Sequence, residues 1–286
     1  MYTALTIAGS DSSGGAGIQA DIKTMTAHNV YAMSVITALT AQNTTGLAGI
    51  LSCPPDFLGN QLDAVFTDIF PDAVKIGMLS GREIMEVVAF KLIQYKAKHV
   101  VLDPVMVSTS GSKLIVDDSI DYLKDELFPL AEIITPNITE TECLTGIQIK
   151  TLEDMKNAAM VFYESIKRRR MVLANMSQAF ENLYLTDTAV LVKGGHSIND
   201  ANDILVANDK LMLIAGNRVE NSNTHGTGCT LSSAIASNLA IGFDIEASVR
   251  NAKAYISGAL EDGLNLGKGS GPLNHMWNIT DKNKVS

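Results

Sequence analysis

The chain has 286 residues, 46% hydrophobic and 19% charged, with 22 Lys and Arg against 31 Asp and Glu, a formal net charge of −9. That is enough apolar material for one large α/β domain or two smaller ones. The acidic balance argues against general nucleic-acid binding, because no basic field attracts a phosphate backbone. A small anionic ligand stays compatible, since a local nest of backbone N–H groups binds one against the global charge. The three cysteines, Cys53, Cys143 and Cys229, are far apart and outside any CxxC. This argues against a disulfide framework or a zinc site and fits a reducing cytoplasm. The N-terminus carries no signal-peptide pattern, and no apolar run reaches transmembrane length. The expectation is a cytoplasmic protein with neither a membrane nor a nucleic-acid partner.

In chain order, "ALTIAG" from Ala4 reads as a strand, followed by a Gly/Ser loop and a helix from about Ala16. "MSVITAL" from Met33 is a second strand. "FLGNQLDAVF" has Leu58, Leu62, Val65 and Phe66 at helical spacing. "AVKIGM", "HVVLDPV" and "EIITPN" are buried-strand candidates separated by helical stretches, and "AVLVKGG" from Ala189 is another. "DILVAN" and "LMLIAG", split by Asp209-Lys210, suggest a hairpin. Two helices close the chain, one with Leu231, Ala234, Ile235 and Leu239 on a face, the other with Ile245, Val249, Ala252, Ile256 and Leu260. Strand–helix alternation predicts a mainly parallel sheet covered on both faces, in one domain without internal repeats. Ligands of such sheets bind at the carboxyl ends of the strands. Those ends carry Gly9-Ser10-Asp11, Gly77-Met78, Asp103-Pro104, Pro136-Asn137 and Gly194-Gly195.

Four motifs carry candidate chemistry. In "NTHGTGC", Gly226 and Gly228 permit close backbone approach. A helix starting there aims free N–H groups at the loop, an anion site that would also lower the pKa of the Cys229 thiol. The spacing suits equally a glycine turn with Cys229 as small buried filler. "GSDSSGGAG" is a second flexible loop and lacks the spacing of a dinucleotide fingerprint. In "TPNITE", Asn137 and Glu140 share a helix face if a turn begins there. They suit either Mg²⁺ held through water and phosphates or a helix cap with a solvated glutamate. "VKGGH" places Lys193 at a strand end, facing a phosphate or solvent. His196 and His225 read as lone histidines without a metal role, and "IKRRR" as the solvated end of a helix.

Taken together, "LTIAGSDSSGGAGIQADIKT", "VITALTAQNT", "KIGML", "VLDPVM", "ITPNITE", "LVKGGH", "NTHGTGCTLS" and "GKGSGPLNH" follow one family's order from Leu5 to His275. The sequence resembles the hydroxymethylpyrimidine/phosphomethylpyrimidine kinases of thiamine biosynthesis, in the ribokinase-like superfamily. The resemblance implies a three-layer αβα sandwich and a homodimer. It also implies ATP- and Mg²⁺-dependent phosphorylation of 4-amino-5-hydroxymethyl-2-methylpyrimidine and then of its monophosphate. By motif position, Gln42 resembles the residue that hydrogen-bonds the aminopyrimidine and Asp21 a second polar contact, with Gly9, Met78 and Val105 lining the pocket. Asn137, Glu140 and Asp103 resemble the metal-phosphate motif, and Lys193 and Thr224 the ATP side. Gly226, Thr227 and Gly228 resemble the anion hole. Cys229 stands where most of the superfamily carries a basic aspartate, as it does in the pyrimidine kinases.

Two alternatives accompany this reading, a pyridoxal/pyridoxine kinase and a non-catalytic binder of thiamine precursors on a kinase scaffold. Gln42 argues against the first, and the presence of Asn137, Glu140, Lys193 and Cys229 against the second. The length leaves no room for a fused synthase domain, so a single-function chain is expected. The departure from the family is an insert at about 168–188, where Leu173, Met176, Phe180, Leu183 and Tyr184 suggest an amphipathic helix.

Overall fold

The computed structural model describes residues 1–106, 117–176, 187–195 and 201–279. Among these, nine strands form one sheet: β1 (Thr3–Asp11), β2 (Tyr31–Asn43), β3 (Gly46–Ser52), β4 (Ala73–Ile76), β5 (Val100–Leu102), β6 (Ile133–Ile134), β7 (Ala189–Val192), β8 (Asp203–Ala207) and β9 (Lys210–Ile214). Their order is β3-β2-β1-β4-β5-β6-β7-β8-β9. The central run from β2 to β7 is parallel, while β3 at one edge and β8 and β9 at the other are antiparallel. The helices are α1 (Gly17–Ala27), α2 (Pro55–Phe66), α3 (Arg82–Tyr95), α4 (Asp117–Tyr122), α5 (Ile138–Thr145), α6 (Leu152–Met176), α7 (Thr227–Ile241) and α8 (Ile245–Glu261).

Side chains of a strand alternate between faces, and each face here meets a helical layer. Val74, Ile76, Val100, Leu102, Val190 and Val192 pack with Leu58, Leu62 and Phe66 of α2, Met85 and Val88 of α3 and Phe162 of α6. Their sequence neighbours Ala73, Val101, Ala189 and Leu191 pack with Ile235 and Leu239 of α7 and Val249 and Ile256 of α8. Apolar on both faces, these strands read as continuous runs, as parallel strands do. The expected three-layer αβα sandwich is therefore the observed one.

Three local expectations are corrected. Strand β3 has no counterpart in the expected pattern: it is exposed along most of its length and interrupted by Gly49, so it carries no apolar alternation. The β8–β9 turn falls on Asn208-Asp209 rather than Asp209-Lys210. Both turn residues have positive φ, 50° and 60°, the conformation of a two-residue hairpin turn that matches strand twist. The basic run "IKRRR" is not a helix end, because α6 continues to Met176.

Two of its arginines are bonded to protein rather than solvated. Arg169 donates to Glu126 at 2.9 Å and to the Asp125 carbonyl at 2.9 Å. Arg170 is buried, its Nη1 bonded to Thr188 Oγ1, which itself donates to the Ala131 carbonyl at 2.7 Å. The helix thus extends into the insert, with Leu173 buried and Met176 exposed. Phe180, Leu183 and Tyr184 lie outside the described residues, as does His196.

The two neighbouring arginines separate these readings. Arg170→Ala removes a buried cation and strands its acceptors, at an expected cost of about 2–4 kcal/mol. Arg168→Ala, on the exposed side of α6, is expected to stay within about 0.5 kcal/mol. Urea unfolding of both variants measures the difference; equal midpoints would mean that Arg170 does not hold the helix to the sheet.

Candidate active site

At the carboxyl ends of the parallel strands, two glycine loops interlock. The first leaves β1 and enters α1 at Gly17; the second ends at Gly226, the residue before α7. Gly226 has φ 84°, and a Cβ there would collide with the Gly15 carbonyl oxygen. Only glycine fits a backbone this close. No side chain caps α7, so its first-turn N–H groups face the loop as the positive end of the helix. The Gly228 position lies against the next strand ends: a Cβ there would sit 3.2 Å from Asp103 Oδ2 and 3.4 Å from Lys193 Nζ. Gly226, Thr227, Gly228 and Cys229 thus bridge the Gly9–Gly17 loop and the tips of β5 and β7.

Beneath them lies a residue that the motifs do not single out. Lys75, inside the apolar run "AVKIGM", points from β4 toward α1 and α7 and is fully buried. Its ammonium bonds Asp21 Oδ2 at 2.8 Å. Asp21 also accepts from Thr6 Oγ1 at 2.6 Å and from Ser233 Oγ at 2.6 Å. The Asp21 carboxylate is thus fully buried and accepts from three protein donors. Burial opposes charge on Lys75, yet Asp21, Cys229 and Asp103 raise its pKa well above the ordinary value.

The Cys229 thiol goes the opposite way from the expected dipole activation. Burial raises its pKa, Lys75 lowers it, and the carboxylates Asp21 and Asp103 raise it again, to about 11. Desolvation outweighs the helix end together with the Gly17 N–H that bonds the sulfur.

Asn137 and Glu140 form a capping box at the start of α5. Asn137 Oδ1 accepts from the Glu140 N–H at 2.9 Å, and Glu140 Oε2 accepts from the Asn137 N–H at 2.8 Å. The capping alternative therefore holds for Asn137, whose side-chain oxygen is engaged. Glu140, however, is buried rather than solvated. Burial raises its pKa, Lys193 lowers it and Asp103 raises it, to about 7. Lys193 does not face solvent; its Nζ bonds Asp103 Oδ1 at 2.6 Å, and Asp103 accepts also from Thr135 Oγ1 at 3.0 Å. Burial lowers the Lys193 pKa, but Asp103 and Glu140 raise it further.

No cluster of three metal-ligating side chains occurs among the described residues. Two buried carboxyls against one ammonium nevertheless leave room for positive charge. Mg²⁺ fits such a donor set, being held by one or two carboxylates, water and substrate phosphates.

The remaining expected residues divide between two places. Gly9 lies where the β1–β2 register shifts, and a Cβ there would touch Met78 Cε at 3.4 Å. Thr37 Oγ1 holds the Met78 carbonyl at 2.7 Å. Val105 follows Asp103 closely, its N–H bonded to the Asp103 carbonyl at 2.8 Å. Gln42 is brought to the first loop by Ser12, whose Oγ accepts from the Gln42 N–H at 2.9 Å and donates to its carbonyl at 2.8 Å. Thr224 stands apart from this group, exposed and bonded through its N–H to Ser270 Oγ at 3.2 Å. His225 is buried and not alone, with Nε2 2.8 Å from Asp11 Oδ2.

The family model described as phosphomethylpyrimidine kinase matches residues 11–177 and 163–274. A thiamine biosynthesis bifunctional protein of Geobacter sulfurreducens is 46% identical over 97% of this chain, which spans 53% of that protein. A hydroxymethylpyrimidine/phosphomethylpyrimidine kinase of Rhizobium meliloti is 44% identical over 95% of this chain and 96% of its own length. The chain thus spans about half of the bifunctional relative and nearly all of the other. Among solved structures, a phosphomethylpyrimidine kinase of Clostridium difficile superposes with TM-score 0.74 at 43% identity, over 90% of this chain and 98% of that one. A pyridoxal kinase of Staphylococcus aureus, solved with AMP-PCP and pyridoxal, reaches TM-score 0.83 at 28% identity over 98% and 96%. By the family model and by these relatives, the chain belongs to the phosphomethylpyrimidine kinase family.

Proposed function

We propose that the chain phosphorylates 4-amino-5-hydroxymethyl-2-methylpyrimidine and then its monophosphate, with MgATP as donor. The observation that carries this reading is the position of the uncapped α7 N-terminus, between the Gly9–Gly17 loop on one side and Asp103 and Lys193 on the other. A phosphoryl group in transit spreads negative charge over its oxygens, and fixed N–H dipoles and cations stabilise it. In this reading Gly226, Thr227 and Gly228 present the N–H groups, and Lys193 adds positive charge beside them. Asp103 and Glu140 would hold Mg²⁺, with Asn137 fixing Glu140 by its cap; when bound, the ion neutralises charge on the transferring phosphates. Thr224 belongs to the nucleotide side.

The acceptor would lie over Gly9, Met78 and Val105. Gln42 meets its aminopyrimidine edge, because a carboxamide both donates and accepts, as that edge does. Cys229 takes the hydroxyl proton in the first step. The second acceptor is an anionic phosphate and has no such need. A homodimer in the cytoplasm completes the proposal. It is supported by the exposed apolar residues Leu39, Ile50 and Leu51 along β2 and β3, and by three cysteines that are all free.

Three kinetic outcomes test the reading. Assayed in parallel, hydroxymethylpyrimidine is expected to exceed pyridoxal in kcat/KM by at least about a hundredfold, since a site built to hydrogen-bond one partner rejects an analogue lacking it; a higher value for pyridoxal would overturn the substrate. Cys229→Ala is expected to lower the first phosphorylation about a hundredfold, as loss of a general base does, and the second less than about threefold. Equal losses would remove the proton-accepting role. Finally, the thiolate fraction grows tenfold per pH unit below the thiol pKa of about 11. The first-step kcat should therefore climb with pH without a plateau near neutrality, while the second-step kcat shows no such climb. A first-step plateau already at neutral pH would contradict the thiolate as acceptor.

A further inference from the structure

Beyond α8 the chain forms a loop that is pinned at both its base and its tip. At the base one buried carboxamide closes it. Asn223 Nδ2 donates to the Leu264 carbonyl at 3.1 Å, and Asn223 Oδ1 accepts from the Gly271 N–H at 2.9 Å. Ser270 Oγ adds a bond to the Ser222 carbonyl at 3.0 Å. Further on, His275 Nε2 lies 3.0 Å from Thr230 Oγ1 in the first turn of α7. Residues 264–275 are thereby anchored to the segment that enters α7. At the tip, Thr44 Oγ1 accepts from the Lys268 N–H at 3.1 Å and from the Gly269 N–H at 3.2 Å. The approach is close enough to require glycine: a Cβ at Gly267 would run into the Thr44 side chain, and one at Gly269 into the Thr44 carbonyl oxygen.

Thr44 lies in the turn between β2 and β3, two residues after Gln42. The β2–β3 ladder shifts register between Ala41 and Gln42. Such an irregularity bends the chain and re-aims the side chains beside it, so pairing with β3 does not by itself set where Gln42 points. β3 is moreover an edge strand, exposed along most of its length. Ser12 holds the Gln42 backbone from the first glycine loop, and the Thr44 hydroxyl holds the turn beyond it from the loop after α8. We infer that Thr44 is a positioning residue: it clasps the hairpin tip that carries Gln42 to the loop after α8, and so sets the distance from Gln42 to the N-terminus of α7. This rests on the reading of Gln42 as the group that meets the aminopyrimidine. A ring gripped at Gln42 presents its hydroxymethyl group to the α7 end only while those two places keep a fixed separation. Loosening the clasp lets the tip move and weakens the hold on the acceptor. The nucleotide side keeps its own tie, because Ser270 still accepts from the Thr224 N–H at 3.2 Å and Asn223 still closes the base.

The test is steady-state kinetics on Thr44→Val, Thr44→Ser, Gln42→Met and the double variant Thr44→Val/Gln42→Met, with KM measured separately for hydroxymethylpyrimidine and for MgATP. Valine keeps the branched shape of Thr44 and removes the acceptor of both N–H groups. Loss of these bonds is expected to raise the pyrimidine KM about five- to tenfold, with kcat falling less than about threefold and the MgATP KM staying within about twofold. Thr44→Ser retains the hydroxyl and restores most of the loss. In the Gln42→Met background the valine substitution adds nothing.

An unchanged pyrimidine KM in Thr44→Val overturns the inference. An equal rise in KM for both substrates, an equal loss in both Gln42 backgrounds, or a serine variant as poor as the valine overturns it too. If Gln42→Met alone leaves the pyrimidine KM unchanged, the Gln42 reading has failed and the inference falls with it. A raised KM in Gln42→Met beside an unchanged one in Thr44→Val rejects the clasp alone. Should Thr44→Val not fold, Gly269→Ala takes its place: its methyl group forces the loop tip off Thr44, with the same rise in pyrimidine KM and the same abolition by Gln42→Met.

Discussion

A single buried ammonium group constrains much of this molecule. Lys75 has no exposed surface, and an unpaired charge in such a place is prohibitively costly. Its stabilisation recruits Asp21, and Asp21 in turn recruits Thr6 and Ser233. These four residues come from β4, α1, β1 and α7, so one charge fixes the relative placement of two strands and two helices. Removing either ion leaves the other buried without a partner, which is why such pairs cannot be broken singly without large loss. The net contribution to stability is not the point of the pair. Its effect is to lock α1 and α7 at the depth where their two glycine loops meet.

That depth sets the electrostatics of the site. The Gly226 backbone passes so close to Gly15 that a small shift of either helix would separate the loops or force them to collide. Lys75 lies under Cys229 and Lys193 beside Gly228, so the loop at the α7 N-terminus runs between two cations. Each cation has its own carboxylate, Asp21 for the first and Asp103 for the second. The protein alone is close to neutral here, apart from Glu140. Burial and the Asp103 charge leave that carboxyl half-inclined to keep its proton, with a pKa of about 7. The carboxyls Asp21, Asp103 and Glu140 thus outnumber the ammonium groups Lys75 and Lys193, with the excess on the side where the capping box holds Glu140 still.

The sheet is legible in the sequence because its parallel strands are buried on both faces and write themselves as apolar runs. The strand-end positions follow from that pattern, and the glycine motifs from their spacing. The features that stay hidden share a physical cause. β3 is exposed and broken by glycine, so burial leaves no mark on its composition. Arg170 resembles surface because its neighbours are basic, and only the continuation of α6 turns it inward. His225 looks solitary because its partner, Asp11, is more than two hundred residues away. A helix end predicts an activated Cys229, but a sequence does not reveal how much desolvation opposes it. Lys75 is the readable exception. A lysine inside a strand covered on both faces requires a buried counter-charge, and the letters "AVKIGM" alone carry that requirement.

The raised thiol pKa also bears on what a cysteine offers at this position that an aspartate would not. Asp21 and Asp103 already both act on Cys229, and both push its pKa upward. A third carboxylate would add like charge to a buried pocket whose nearest cation, Lys75, is already shared with Asp21. The proposed second acceptor carries a phosphate, and a permanent anion at position 229 would repel it in the low-dielectric space where repulsion is strongest. A thiol with a pKa of about 11 is neutral near pH 7 and repels neither acceptor. As the proposed proton acceptor it would be less basic toward the alcohol but would tolerate the phosphate. For the two proposed acceptors at one position, a side chain of conditional charge is suited, and burial beside Lys75 gives Cys229 that property.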